Sequence, residues 1–350
     1  MSSFACRILS ALLLSCGLAA HAQAVVPLAP LPAPAIVSEA DCFSMGSYDD
    51  WMAGLREKNG FLKSLLIRWR FPEGEFTRYR QSLDCRAITY RSDQYLVHGW
   101  LVRPRHRPAG GKQPVIVYNR GGNRGYGALT FAHLFTHVFP LAESGYLVAA
   151  SQYRGVTTAQ DATTSPDQFG GDDIADVTNL LRIVSGLPGA DPDSLFMIGQ
   201  SRGAIMTFRA LRETPLPIRA VAIYSGVYDL HDLLAMRPAF EQLFEALIPD
   251  YRKQRTVELD LRSVTRWPGQ LPPHTGVLMI HGDEDERAPL VSPRKLAAAF
   301  ERSGHPHRLV VHPGESHFLD GVRPEVQAET LRWFERFRQR PSRQSAASTR

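Results

Sequence analysis

The sequence predicts an α/β fold: a mostly parallel central sheet with helices on both faces and a short helical extension on its N-terminal side. Two observations carry this. From about residue 86, short apolar runs such as "PVIVYN", "YLVAAS", "SLFMI", "AVAIYS" and "GVLMIHG" alternate with longer stretches of helical period. Runs that are apolar at nearly every position, rather than at every second one, are buried on both sides, as happens when helices cover a parallel sheet. With 44% hydrophobic residues in a chain of 350, there is enough apolar surface for one large core.

The elements follow in order. Residues 1–24 carry one Arg, an apolar run from Ile8 to Ala20 and small residues at Ala22 and Ala24, the pattern of an export signal removed by cleavage. The run is too short to span a membrane comfortably, so no integral segment is expected after signal removal and the mature protein is expected in the periplasm or secreted. Lipid attachment at Cys16 is a poorer match, because "LLSC" only loosely resembles a lipoprotein cleavage box. Residues 25–40 are Pro and Ala rich and read as an extended or disordered linker. Over 41–85, Trp51, Met52, Leu55, Leu62, Leu65, Leu66 and Trp69 suggest helix from Asp49 to about Arg70, interrupted near Asn59-Gly60. This extension is too short for a large independent domain.

The main domain is expected over 86–340. "AITYRSDQYLVHGWLVRP" reads as two strands around a polar turn, and Pro114 opens a buried strand. A helix from Ala128 to Ser144 leads to the next strand, and "DDIADVTNLLRIVSG" places Ile174, Val177, Leu180, Leu181 and Val184 on one helical face, with Asp172 and Asp173 where negative charge complements the dipole. Strand "SLFMI", a helix from Ser201, strand "IRAVAIYS" and a helical insertion over 229–264 come next. Strand "GVLMIHG", helix "SPRKLAAAFERSG", strand "HRLVVHP" and helix "PEVQAETLRWFERFR" complete the pattern, before a disordered tail over 341–350.

The formal charge of +5 is scattered and forms no basic stripe, which argues against a nucleic-acid partner. No Cys/His spacing suggests a metal, and no phosphate-binding glycine motif suggests a nucleotide; no cofactor is implied. With the signal removed, Cys42 and Cys85 remain, and in an oxidising compartment an even pair favours a disulfide over two buried thiols.

"LFMIGQSRGAI" carries the chemistry. Ser201 stands between Gly199 and Gly203, where a strand passes almost directly into a helix marked by Ala204, Ile205, Phe208 and Leu211. Such a turn strains the backbone and tolerates only small neighbours, and it lifts the hydroxyl clear of the sheet edge: the G-x-S-x-G nucleophile elbow. Serine needs a base, itself oriented by an acid. After later strands the chain offers Asp283 and Asp285, then His312 and His317, in the order acid before histidine. His317 has a loop long enough to swing back over Ser201. His281, His305 and His307 read as satisfied or exposed.

From about Arg86 to Arg338 the chain resembles the catalytic domain of the prolyl oligopeptidase family of serine peptidases, within the α/β-hydrolase fold. His281-Gly282-Asp283-Glu284-Asp285-Glu286-Arg287-Ala288-Pro289 matches the family's H-G-x-x-D-x-x-V-P with Ala for Val, and the resemblance selects Asp285 as the acid. "GESH" resembles G-E-x-H and selects His317. "QYRG" and "GGDDIADV" also resemble family segments, with charges expected to be structural. Two departures stand out: Ala204 replaces a second trailing Gly of the elbow, and Arg120 stands in "YNRGGNRG" where the family commonly has His before the oxyanion glycines. By resemblance the oxyanion donors are the backbone N–H groups of Gly122 and Arg202.

The implied reaction is acyl transfer through Ser201. Two enzymatic readings stand, a peptidase of short peptides and a carboxylic-ester hydrolase; a third is a non-catalytic binding protein on the same scaffold. Residues 25–85 are too few for the β-propeller that screens peptides in this family, so peptide specificity does not follow from the triad. Arg120 and Arg124 hint at anionic substrates. The sequence does not fix an oligomeric state.

Overall fold

The computed structural model describes residues 36–59, 61–106, 111–156 and 166–338, and all of them fall within one compact unit. The expected signal, most of the linker and the tail lie outside the described residues. In chain order the elements are β1 (Ile36–Asp41), α1 (Tyr48–Asn59), α2 (Phe61–Arg70), α3 (Glu73–Ser82), β2 (Leu83–Ser92), β3 (Tyr95–Pro104) and β4 (Gln113–Asn119). A short α4 (Phe131–His133) passes through a π-helical turn at Leu134–Val138 into α5 (Phe139–Glu143) and β5 (Leu147–Ser151). Then come α6 (Ile174–Ser185), β6 (Ala190–Gln200), α7 (Gly203–Glu213), β7 (Ile218–Tyr224), α8 (Leu230–Met236), α9 (Phe240–Leu247) and α10 (Tyr251–Leu261). β8 (Gly276–Gly282), α11 (Val291–Ser303), β9 (His307–His312) and α12 (Arg323–Arg338) follow.

One sheet takes all nine strands, in the order β1-β2-β3-β5-β4-β6-β7-β8-β9. Pairings from β5 through β4 to β9 are parallel, whereas β1, β2 and β3 join antiparallel. The chain leaves β4 toward one edge of the sheet and leaves β6 toward the other. A crevice therefore opens at the carboxyl ends of these two neighbours, the place where open α/β sheets hold their sites.

Alternation along the buried strands divides the core. Ile116, Tyr118, Phe196, Ile198, Leu278 and Ile280 face one layer with α5 and α12, while Val115, Val117, Leu195, Met197, Val277 and Met279 face the other with α6, α7 and α11. A third, smaller cluster joins Phe244, Leu247 and Tyr251 of the insertion to Phe169, Ile205 and Val227 of the body. The insertion thus lies on the sheet's carboxyl rim.

The N-terminal extension has no core of its own. Trp51 packs on Phe71, Phe76, Phe131 and Phe135, and Phe43 on Phe76, Phe131 and Phe139, so its aromatic rings merge with those of α4 and α5. Cys42 and Cys85 form the expected disulfide, with Cα atoms 5.4 Å apart. The linker expected over 25–40 is corrected at its end: Ile36–Asp41 is an edge strand on β2. Its side chains are mostly exposed, so backbone pairing holds it and no alternation of apolar residues announces it.

Candidate active site

Ser201 follows the last residue of β6 with φ at 54°, in the left-handed region where a non-glycine residue is strained. Neighbouring backbone holds it there: its N–H donates to Tyr224 O at 2.9 Å, and its carbonyl accepts from Ala204 N and Val227 N at 3.0 Å each. The glycines are sterically required. A Cβ on Gly199 would lie 2.6 Å from Gly203 O and from Thr207 Oγ1, and one on Gly203 would lie 2.0 Å from Asn119 O. Helix α7 therefore starts tight against β4, as the elbow demands.

Asp285 sits in the loop after β8, its side chain buried. One oxygen accepts from the Arg287 and Ala288 amides at 2.8 and 2.9 Å. His317 Nδ1 lies 2.9 and 3.0 Å from the two carboxylate oxygens. His281 Nε2 lies 3.2 Å from Asp285 Oδ2 and 3.1 Å from Ala288 O. Burial pushes the Asp285 carboxyl up, but hydrogen bonds from His281 and His317 outweigh it and hold the group well below the usual carboxylate range. An ionised carboxylate only accepts, so His317 Nδ1 is the donor in this contact.

The other acid and histidine of the sequence do something different. Asp283 is exposed and accepts from Gly314 N at 2.7 Å, while its own N–H donates to His312 O at 3.2 Å, which pins the loop that delivers His317. His305 stacks on Phe300 and His307 packs against the same ring at a tilt. His281 is buried on the acid itself, a contact that sequence reading missed; its signal was the four-residue spacing from Asp285.

Ser201 and His317 line one cavity of about 380 Å³ together with Gly121, Gly122, Arg202 and residues of the insertion. Among the described residues the Ser201 hydroxyl has no hydrogen-bond partner, His317 included. Such contacts are often long until substrate is bound. No cluster among the described residues has the makeup of a metal site.

The loop after β4 passes directly over the serine. A Cβ on Gly121 would approach Ser201 Cβ to 2.9 Å, and Gly122 has φ at 73° with space for a Cβ blocked by Tyr126 O at 2.0 Å. Neither the Gly122 nor the Arg202 amide donates to another part of the described chain. The expectation that Arg120 greets an anionic substrate is corrected. Its guanidinium is buried and donates to the carbonyls of Gln152, Gly121 and Arg124 at 2.8 to 2.9 Å, which fixes the curvature of the loop. Burial and the nearby Arg202 pull its pKa down to about 10.

Arg202 contributes its side chain as well as its amide. Nη1 donates to Asp167 at 2.6 Å and to Gly122 O at 3.1 Å, and Nη2 to Asp173 at 2.6 Å. Asp167 also accepts from Arg124 N at 2.6 Å. Burial raises and Arg202 lowers both carboxyls: the balance holds Asp167 down, with help from backbone N–H donors, and leaves Asp173 raised. The elbow and the loop after β4 are thus tied by one buried ionic knot. Arg154 of QYRG and Asp176 of GGDDIADV form a separate buried pair at 2.7 Å.

This fold, with a strained serine at the carboxyl end of a parallel strand, is that of the α/β-hydrolase class. The model of the prolyl oligopeptidase family matches residues 132–340, and the chain belongs to that family. It is 26% identical over 239 residues to the uncharacterized peptidase YuxL of Bacillus subtilis (strain 168), covering 65% of this chain and 34% of that protein. It is also 26% identical to the acylamino-acid-releasing enzyme of Homo sapiens over 271 residues, 74% of this chain and 34% of the enzyme. Among solved structures, the acylaminoacyl peptidase of Pyrococcus horikoshii has a TM-score of 0.63 at 19% identity, over 77% of this chain and 44% of that one, a likeness of fold. The chain spans about a third of the length of the first curated relatives it matches.

Proposed function

We propose that the protein is an exported serine peptidase that cleaves short peptides through an acyl-enzyme on Ser201. The observation that carries the reading is the strained Ser201 sharing a cavity with a histidine whose far nitrogen is bound to a buried, ionised Asp285. In this reading His317 Nε2 takes the hydroxyl proton as Oγ attacks the scissile carbonyl. Asp285 keeps the imidazole in the right tautomer and stabilises its cation. The N–H groups of Gly122 and Arg202 receive the developing oxyanion, each contributing about 3 kcal/mol of barrier lowering. His317 then returns the proton to the leaving amine, and water repeats the cycle on the ester.

Family membership and the peptidase relatives support amide substrates, and ester hydrolysis as the native activity is not favoured. Export is supported by the Cys42–Cys85 disulfide; no helix among the described residues is long and apolar enough to cross a membrane. The test is a fluorophosphonate probe with a panel of aminoacyl anilides and short acyl esters. Wild type is expected to be labelled and to cleave anilides, and Ser201→Ala to do neither. Unlabelled wild type sinks the hydrolase reading, and turnover of esters alone sinks the peptide one.

A further inference from the structure

The arginines around the site fall into two groups. Arg120 and Arg202 are buried and spent on the backbone and on Asp167 and Asp173. Arg237, just after α8, and Arg287, in the loop that carries Asp285, line the cavity and have no carboxylate partner among the described residues. Arg237 lies over the Phe240 ring at 4.5 Å from its centroid, and Arg287 over Phe318 at 4.8 Å, with one bond to Tyr126 Oη at 2.9 Å. Stacking on a ring fixes the plane of a guanidinium and leaves its N–H edge free for the two oxygens of a carboxylate.

The remaining lining sharpens the charge. No Asp or Glu is among the described residues that line this cavity. Acids on the insertion point elsewhere: Asp232 pairs with Lys295, and Glu241 with Arg255. A cavity with two uncommitted cations and no acid disfavours a free amino group and favours an anion, and its apolar wall, Leu129, Phe169, Val227 and Leu233, suits the rest of a small substrate.

Building on the peptidase reading, we propose that Arg237 and Arg287 select substrates bearing a carboxylate, so that the enzyme prefers peptides with an acidic group near the scissile bond over neutral or amino-terminal ones. The carboxylate has two possible sources, the peptide's own C-terminus on the leaving side or an acid on the acyl side. Two matched pairs separate them: acetyl-Ala-Phe against its C-terminal amide, and the succinyl-Ala-Ala against the acetyl-Ala-Ala p-nitroanilide.

The anionic member of one pair is expected to have a kcat/KM at least about tenfold higher, as one desolvated charge-assisted bond supplies. Arg237→Gln and Arg287→Gln, both at the cavity surface, are expected to erase most of that advantage while leaving neutral substrates within about twofold. Equal turnover within both pairs overturns the proposal, as does an advantage that survives in the double variant. Fluorophosphonate labelling of Ser201 keeps the two readings apart: labelled enzyme with no anionic preference loses only the arginine assignment, whereas unlabelled wild type loses the hydrolase reading and this one with it.

Discussion

Asp283 and Asp285 lie two positions apart in one loop, yet their surroundings differ completely. Asp285 is buried on two imidazoles, and Asp283 is a solvent-facing clasp on Gly314. If Asp285 is the acid of the triad, Asp285→Asn is expected to lower kcat by ~10³-fold or more, because an amide no longer enforces the Nδ1–H tautomer. Asp283→Asn keeps an oxygen for the Gly314 amide and is expected to stay within about tenfold. The reverse ranking in steady-state kinetics overturns the assignment. His281 adds a positioning role. Replacing it with Phe removes one donor from the carboxylate and loosens its hold on the His317 ring, so kcat is expected to fall with KM little changed, as read in steady-state kinetics. At this scale Ser201 was legible because its chemistry needs neighbours that leave a mark in sequence, small residues at fixed offsets. Arg237 and Arg287 were not, since nothing in a run of residues tells which arginine will find a carboxylate and which will not.

Elements explain why the serine stays where it is. The elbow is a junction of β6, α7 and β4, and Gly203 is the point where helix and strand backbones touch. A Cβ there meets the Asn119 carbonyl at 2.0 Å, and backbone cannot swing aside as a side chain would. Gly203→Ala is therefore expected to cost about 1–3 kcal/mol of stability and to displace the Arg202 amide enough to depress turnover. The neighbouring Ala204 is buried without such a clash, so Ala204→Gly is expected to cost no more than about 1 kcal/mol and to leave activity largely intact. Denaturant titration together with anilide turnover distinguishes the pair. The strands and helices of the body were legible because each runs long enough to display a period or an unbroken apolar stretch. α3 and β1 were not: α3 buries only Phe76 and Tyr79, and β1 is a mostly exposed edge held by backbone bonds. The π-helical turn between α4 and α5 also left no trace in the apolar spacing.

Over the whole molecule, the disulfide and the buried titratable groups set how the fold responds to its surroundings. Cys42–Cys85 closes a separation of 43 residues that contains the extension's helices, for which loop entropy gives about 4 kcal/mol as an upper figure. Reduction is expected to lower the unfolding free energy, measured by denaturant titration, by less than that, because the reduced unfolded chain is more compact than a random coil. Acid acts through His137, which lines both the main cavity and a smaller one beside it. Burial, then the charge of Arg323, pull its pKa from 6.5 down to about 3. Between those values the unfolded chain binds a proton that the folded chain refuses, so stability falls as pH drops through this window, by at most about 1.4 kcal/mol per unit for one proton. Asp285 works in the same direction at lower pH: its depressed pKa makes a contribution that is present above the ordinary carboxylate range and is lost as pH falls toward the folded value. Urea melts of wild type and His137→Gln from pH 7 to 4 separate the two. The variant is expected to lose part of the slope between about pH 6 and 4, the rest staying with His133 and His305, which burial also depresses; if both proteins fall in parallel over the whole range, the His137 imidazole is not a group that senses acid.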